Sequence, residues 1–217
     1  MSDYTSQITT PAQPNLGNPG EVYDRLFFSQ TFSNIGNYAK RITNALGALF
    51  GPRGGKYLNV PYGAFQDSTD QTAANTTTAY AITFDTTDFS NGVTLSNSSR
   101  LNVSQSGIYN VQFSIQFTNT TNASQDVDVW FRKNGTNIDK SNSRFGFAPR
   151  KGVGDPFHTI AAMNFFVSMN ANDYVEIMWR TTDVGVSIEQ YAAGTSPTRP
   201  AVPSTIVTLS FVSNLSV

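Results

Sequence analysis

Between Ser106 and Phe117 the chain reads SGIYNVQFSIQF, and apolar and polar residues take strict turns. Tyr109, Val111, Phe113, Ile115 and Phe117 fall on one side, with Asn110, Gln112, Ser114 and Gln116 on the other. A period of two is that of a β-strand with one face in a core. Short alternating segments recur from about Val60 to the C-terminus: VPYGAFQ, TAYAITF, GVTLSN, RLNVSQ, SRFGF, HTIAAMNFFVSM, DYVEIMWRTT, VSIEQYAA and TIVTLSFVS. Clusters of Asn, Ser, Thr, Gly or Pro separate them, and no helical pattern intervenes. Such a series predicts an all-β sandwich or jelly roll. Asn134-Gly135 suits the type I′ turn of a hairpin, so DVDVWFRKNGTNIDK is expected to fold back on itself.

Upstream the period changes. Phe28, Phe32, Ile35, Ala39, Ile42, Leu46 and Leu49 are spaced alternately by four and by three, which is the a/d seam of a coiled coil. Gly51-Pro52 supplies the stop. The seam packs either on its own domain or on a partner. Because nothing else in the chain is helical, self-association along the seam is favoured, although Gly36, Gly47 and several Asn weaken a free-standing coil. Before the helix, MSDYTSQITTPAQPNLGNPG carries three prolines and no periodicity. Left alone such a stretch does not order, so it is expected to lie on a partner surface whose contacts offset its ordering entropy. The organisation expected is an extended arm over 1–20, helix and connector over 21–56, and a β-head over 57–217.

Composition narrows the chemistry. Charged residues make up 13% of the chain, about half the usual ~25%. Asn, Ser and Thr fill the gap, giving a polar but mostly uncharged surface. A net charge of -1 supplies no electrostatic case for nucleic acid, and no apolar run is long enough to span a membrane. The N-terminus lacks the basic and apolar stretches of a secretory leader, so the seven Asn-x-Ser/Thr sequons are read as chance in an Asn-rich chain. Zero cysteines exclude disulfides, thiolate nucleophiles and cysteine-bound zinc. GPRGGK lacks the first glycine of a phosphate loop, since Phe50 stands there. The single histidine, His158, falls on a strand and is expected to be a hydrogen-bonded packing residue. Asp126 and Asp128 share a strand face and are the candidate calcium carboxylates, with plain solvation the favoured alternative. No pair of acids stands out for glycoside hydrolysis. Tyr174, Trp179 and Tyr191 are the aromatics available to stack on a sugar, while Trp130 and Trp179 are expected in the core. No cofactor is implied, and no enzyme is expected.

One arrangement is more particular than a strand requires. Leu101, Gly107, Tyr109, Val111 and Phe113, with five residues between the first two and one between each of the others, resemble the signature of the complement-type globular head (gC1q) and tumour-necrosis-factor superfamily. That signature has Phe where this chain has Leu101 and Val111. Phe84, Asn91 and Leu95 resemble earlier motif positions, and TIVTLSFVSNL resembles the family's last strand. The resemblance covers residues 60–217. It implies a jelly-roll β-sandwich packed as a homotrimer about a threefold axis, with a heptad helix near that axis. The whole layout of arm, short helix and Thr/Asn-rich head resembles a bacteriophage virion protein, assembled in the host cytoplasm. Two roles follow as expectations. One is a capsid decoration or cement protein, whose arm and helix (Phe28, Phe32, Ile35, Ala39, Ile42, Leu46, Leu49) bind coat or other virion proteins. The other is a tail or fibre host-attachment module whose head reads a host glycan. The chain's shortness favours the first.

Overall fold

The computed structural model describes residues 25–50 and 60–214, with side chains over 28–47 and 60–214. The expected arm, the Gly51-Pro52 stop and the side chain of Leu49 lie outside the described residues. The helix and the β-region form separate units, the second spanning Pro61–Leu215.

Helix α1 (Arg25–Phe50) is followed by β1 (Tyr62–Asp67), β2 (Gln71–Thr72), β3 (Tyr80–Ala81), β4 (Thr86–Asn91), β5 (Val93–Ser96), β6 (Arg100–Val103), β7 (Gly107–Asn119) and β8 (Gln125–Lys133). The chain continues through β9 (Thr136–Asn137), β10 (Ser143–Phe147), β11 (Phe157–Met169), β12 (Tyr174–Thr181), β13 (Val186–Ile188), β14 (Gly194–Thr195), β15 (Thr198–Arg199) and β16 (Thr205–Ser213). Fourteen of the described strands build two antiparallel sheets facing each other, and β14 pairs with β15 as a separate two-stranded ribbon. Sheet A runs β2-β13-β7-β16-β1-β4, with β11 on the other side of β7. Sheet B runs β10-β8-β12-β6-β5, with β3 on β12 and β9 on β8. The outermost strands in sequence pair with one another and the inner ones follow: β1 with β16, β6 with β12, β7 with β11, β8 with β10.

The alternation that begins at Gly107 holds as far as Phe117, after which Thr118 and Asn119 are both buried, and all thirteen residues of β7 are matched by β11 from Gly107↔Met169 to Asn119↔Phe157. Tyr109, Val111, Phe113, Ile115 and Phe117 point into the sandwich and are buried. There Phe113 meets Phe131 at 5.9 Å and Phe117 meets Trp179 at 5.8 Å, so one aromatic row of sheet A rests on sheet B. Gly107 has a packing reason. A Cβ there would fall 2.8 Å from the Ser213 carbonyl oxygen and collide with the Phe211 ring, which stacks edge-on against Tyr109 at 5.6 Å. Tyr109 donates its hydroxyl hydrogen to the Gln105 carbonyl at 2.7 Å, and burial pushes the phenol up to about 12.

The Asn134-Gly135 turn forms as expected, both residues with positive φ (49° and 81°), as a type I′ hairpin requires. Its ladder is short, however, because β9 pairs only Asn137 and Thr136 with Arg132 and Lys133. Beyond that point β8 takes β10 as its edge partner. Two expectations change. TAYAITF pairs only at Tyr80–Ala81, although Ile82 and Phe84 are buried and the Ile82 N–H donates to the Ile177 carbonyl at 2.8 Å. Trp130 does not enter the core: between the inward residues Val129 and Phe131 it takes the outer face of sheet B, half-buried, and its indole N–H donates to Asn137 Oδ1 at 2.8 Å. Trp179 alone fills the core position, its indole nitrogen without a hydrogen-bond partner among the described residues.

The parity of β7 sets a prediction. Phe113→Ala should cost about 3–5 kcal/mol in urea unfolding, whereas Gln112→Ala, one residue away on the exposed face, should stay within about 0.5 kcal/mol of wild type. Equal losses at the two positions would contradict the alternation.

Candidate interaction surfaces

The heptad seam forms one face of α1, a helix of 26 residues and about 39 Å. Among the described side chains Phe28, Phe32, Ile35, Ile42 and Leu46 are exposed, from 36% at Ile42 to 70% at Phe32. Ala39 lies on the same face and is exposed as well. Within the described helix the first turn holds no acid and the last no base, so its own terminal turns do nothing to offset the dipole. Tertiary contact rather than local propensity has to sustain such a helix.

The head has two outer faces of opposite character. On sheet A the outward positions of β7, β11 and β16 hold no Asp, Glu, Lys or Arg. Ile160, Phe166, Ile206 and Val212 are exposed there, and Tyr62 and Phe89 form an edge-on pair at 6.1 Å toward the β1–β4 side. Between Phe166 and Ser210 lies Asn110, whose side-chain oxygen is buried without a hydrogen-bond partner among the described residues. At one end of this face His158 Nδ1 lies 2.7 Å from the Tyr191 hydroxyl and 3.1 Å from the Thr118 hydroxyl, which in turn donates to Glu189 at 3.2 Å. His158 is thus hydrogen-bonded, on the outer face and exposed. Burial pushes the Tyr191 phenol above the ordinary tyrosine range, the Glu189 and Asp70 charges adding to it against the Thr118 hydrogen bond.

Sheet B presents the reverse: charges arranged in cross-strand rows. Asp128, buried on β8, accepts from Arg144 Nε at 2.9 Å and Nη2 at 3.2 Å, and from Arg180 Nε at 2.8 Å. Glu176, buried on β12, accepts from Arg132 Nε at 2.9 Å and from Ser99 Oγ at 2.9 Å, with Arg100 Nε at 3.5 Å. Between the two rows stand Trp130 and Met178, directly opposite one another. Each row places a carboxylate between two guanidiniums, which topology alone could reveal, since the members come from different strands.

The expected site residues therefore separate. Leu101 lies on β6 in sheet B, while Gly107, Tyr109, Val111 and Phe113 lie on β7 in sheet A; all are buried. Asp126 and Asp128 do share the outer face, but both Asp128 oxygens are taken by arginines, and no cluster of three or more metal-ligating side chains occurs among the described residues. Trp179 is buried and offers no face to a sugar, whereas Tyr174 and Tyr191 are half-exposed. No described helix is long and apolar enough to cross a membrane.

Hydrogen bonding from Arg144, supported by Arg180, outweighs burial and holds the Asp128 carboxyl below its usual range. A lowered folded-state pKa adds stability above the unfolded value, about 3.9, and that contribution disappears as pH falls through the lower folded value. Asp128→Asn should therefore cost about 2 kcal/mol at pH 7 by chemical denaturation and flatten the loss of stability below about pH 4. An unchanged acid limb in the variant would contradict this assignment.

No family model matches the chain, and no curated protein matches it.

Proposed function

We propose that the chain is a non-enzymatic structural protein of a bacteriophage virion, a homotrimeric capsid decoration or cement protein held on the particle by its N-terminal arm and helix. The observation that carries the reading is the exposed seam of α1. Phe32, Ile35, Ile42 and Leu46, four large apolar side chains on one helix face, are exposed, and burying each is worth about 1.5–3 kcal/mol. A partner surface is the natural place for them, and a matching seam on identical helices supplies one of the right length and chemistry.

The β-region supports the same reading at the level of fold. Nested pairing of first strand with last is what a long antiparallel ribbon produces when it rolls up. The cross-pairs β7·β16 and β8·β12 then join the two halves into sheets. A jelly roll of the gC1q and tumour-necrosis-factor type is the simplest description of this path. Its outer face over β7, β11 and β16, with exposed Ile160, Phe166 and Ile206 and an Asn110 oxygen without a partner among the described residues, suits closure against further copies about a threefold axis. The charge-paired face of sheet B suits solvent. Three arms per trimer multiply the attachment through effective concentration.

Electron microscopy of antibody-labelled virions should show the protein spread over the capsid shell. A protein lacking residues 1–50 should fold yet leave the shell bare, and full-length Ile42→Asp, which places an unpaired charge in the seam, should decorate poorly. Label confined to the tail would overturn the capsid role in favour of host attachment. Full decoration by the truncated protein would move the contact into the head.

A further inference from the structure

The Glu176 row on sheet B differs from the Asp128 row in one respect: Arg100 makes no hydrogen bond to its central carboxylate, whereas Arg144 and Arg180 both do. Around Asp128, Arg144 and Arg180 are balanced by Asp128 itself and by Asp126, which lies on the same face close enough to act on Arg144. Around Glu176, two guanidiniums share a single carboxylate, so the row carries a net positive charge. The nearby Lys133–Asp173 pair, 3.8 Å apart, adds nothing to that balance.

Arg100 is the least engaged of the four. Its guanidinium lies over the Tyr174 ring, 4.4 Å from the centroid, and its Nε faces Glu176 at 3.5 Å, too far for a hydrogen bond. Its side chain is 38% exposed. Arg132 spends Nε and Nη2 on Glu176 and keeps Nη1. Glu176 is buried and anchored by Ser99, so it acts as a fixed template that holds both cations in place. Stacking on Tyr174 orders Arg100 before any ligand arrives, which removes part of the entropic cost of binding.

On the neighbouring rungs of this face stand two half-exposed aromatics. Tyr174 precedes Glu176 by two residues on β12, and Trp130 precedes Arg132 by two on β8, each offset about 7 Å along its strand. Asn102 lies opposite Tyr174, and Asn137 opposite Arg132. A pre-ordered cationic fork flanked by aromatic rings and amides matches an oxyanion joined to rings rich in hydroxyl groups. The planar fork fits a carboxylate, and the single net charge fits a monoanion better than a dianion.

We propose that the outer face of sheet B binds a carboxylate-bearing saccharide, with Arg100 and Arg132 receiving the carboxylate and Trp130 packing against a sugar ring. The site lies on one chain, so it stands or falls independently of the capsid role and of the oligomeric state.

Calorimetric titration of the full chain with trigalacturonate tests the proposal. Binding is expected, weakening as salt is raised. Arg100→Gln should lower affinity by roughly tenfold or more, and Arg100→Lys, which keeps the charge and loses the fork, should do nearly the same. In both variants Arg132 and Ser99 still satisfy Glu176, and thermal melting checks that the fold is retained. Arg144→Gln, an equal loss of charge in the other row, should leave affinity unchanged. The proposal is overturned by absence of binding at millimolar sugar, by an equal loss in Arg144→Gln, or by equally tight binding of neutral galactotriose. Displacement of the sugar by inorganic phosphate at matching concentration would also overturn it, by reducing the site to a general anion fork.

Discussion

The head depends on keeping one face of β7 dry. Tyr109, Val111, Phe113, Ile115 and Phe117 form a continuous buried row along the strand, and no single neighbour is wide enough to cover it. Sheet B covers it from above through Phe131 and Trp179, while β11 on one side and β16 and β13 on the other extend the sheet laterally. Once that row is inward, strict alternation sends Asn110, Gln112, Ser114 and Gln116 outward, and the register of β11 fixes Ile160 and Phe166 beside them. Even Gly107 answers to this constraint, because the Phe211 ring that closes the end of the row occupies the space a side chain would need.

The same constraint sorts the surface. Sheet B buries Val127, Val129 and Phe131 on its inner side, so its outer side receives Asp126, Asp128, Trp130 and Arg132, and the antiparallel partners bring opposite charges alongside. Sheet A receives amides, hydroxyls and a few large apolar groups. Two faces built from one chain thus differ in chemistry: paired charges on the outside of sheet B, amides, hydroxyls and exposed apolar groups along β7, β11 and β16 on the outside of sheet A.

Much of the head was legible in the chain. Alternating runs mark β7, β11 and β16 because each turns one face to the core, and Asn-Gly marks the β8–β9 turn because both residues take positive φ. Strand β4 was not legible: TTDFSN is exposed nearly throughout and is a strand only because β1 offers it a ladder. Trp130 was misplaced by its hydrophobicity, although its parity with Asp126, Asp128 and Arg132 already assigned it to the outer face. The arginine rows were invisible for a different reason. Arg100, Arg132 and Glu176 stand far apart in sequence, and only the pairing of β6, β12 and β8 assembles them. The helix seam showed its period but not its exposure, since a repeat says which residues share a face and not what covers it.

Closure of the exposed apolar surfaces by identical copies is the central claim, and the mass of the assembled protein in solution tests it most directly. Sedimentation equilibrium of the full chain should return three times the 23.6 kDa of a single chain. A mass of one chain, with the helix seam and the outer face of sheet A left to water, would contradict the account.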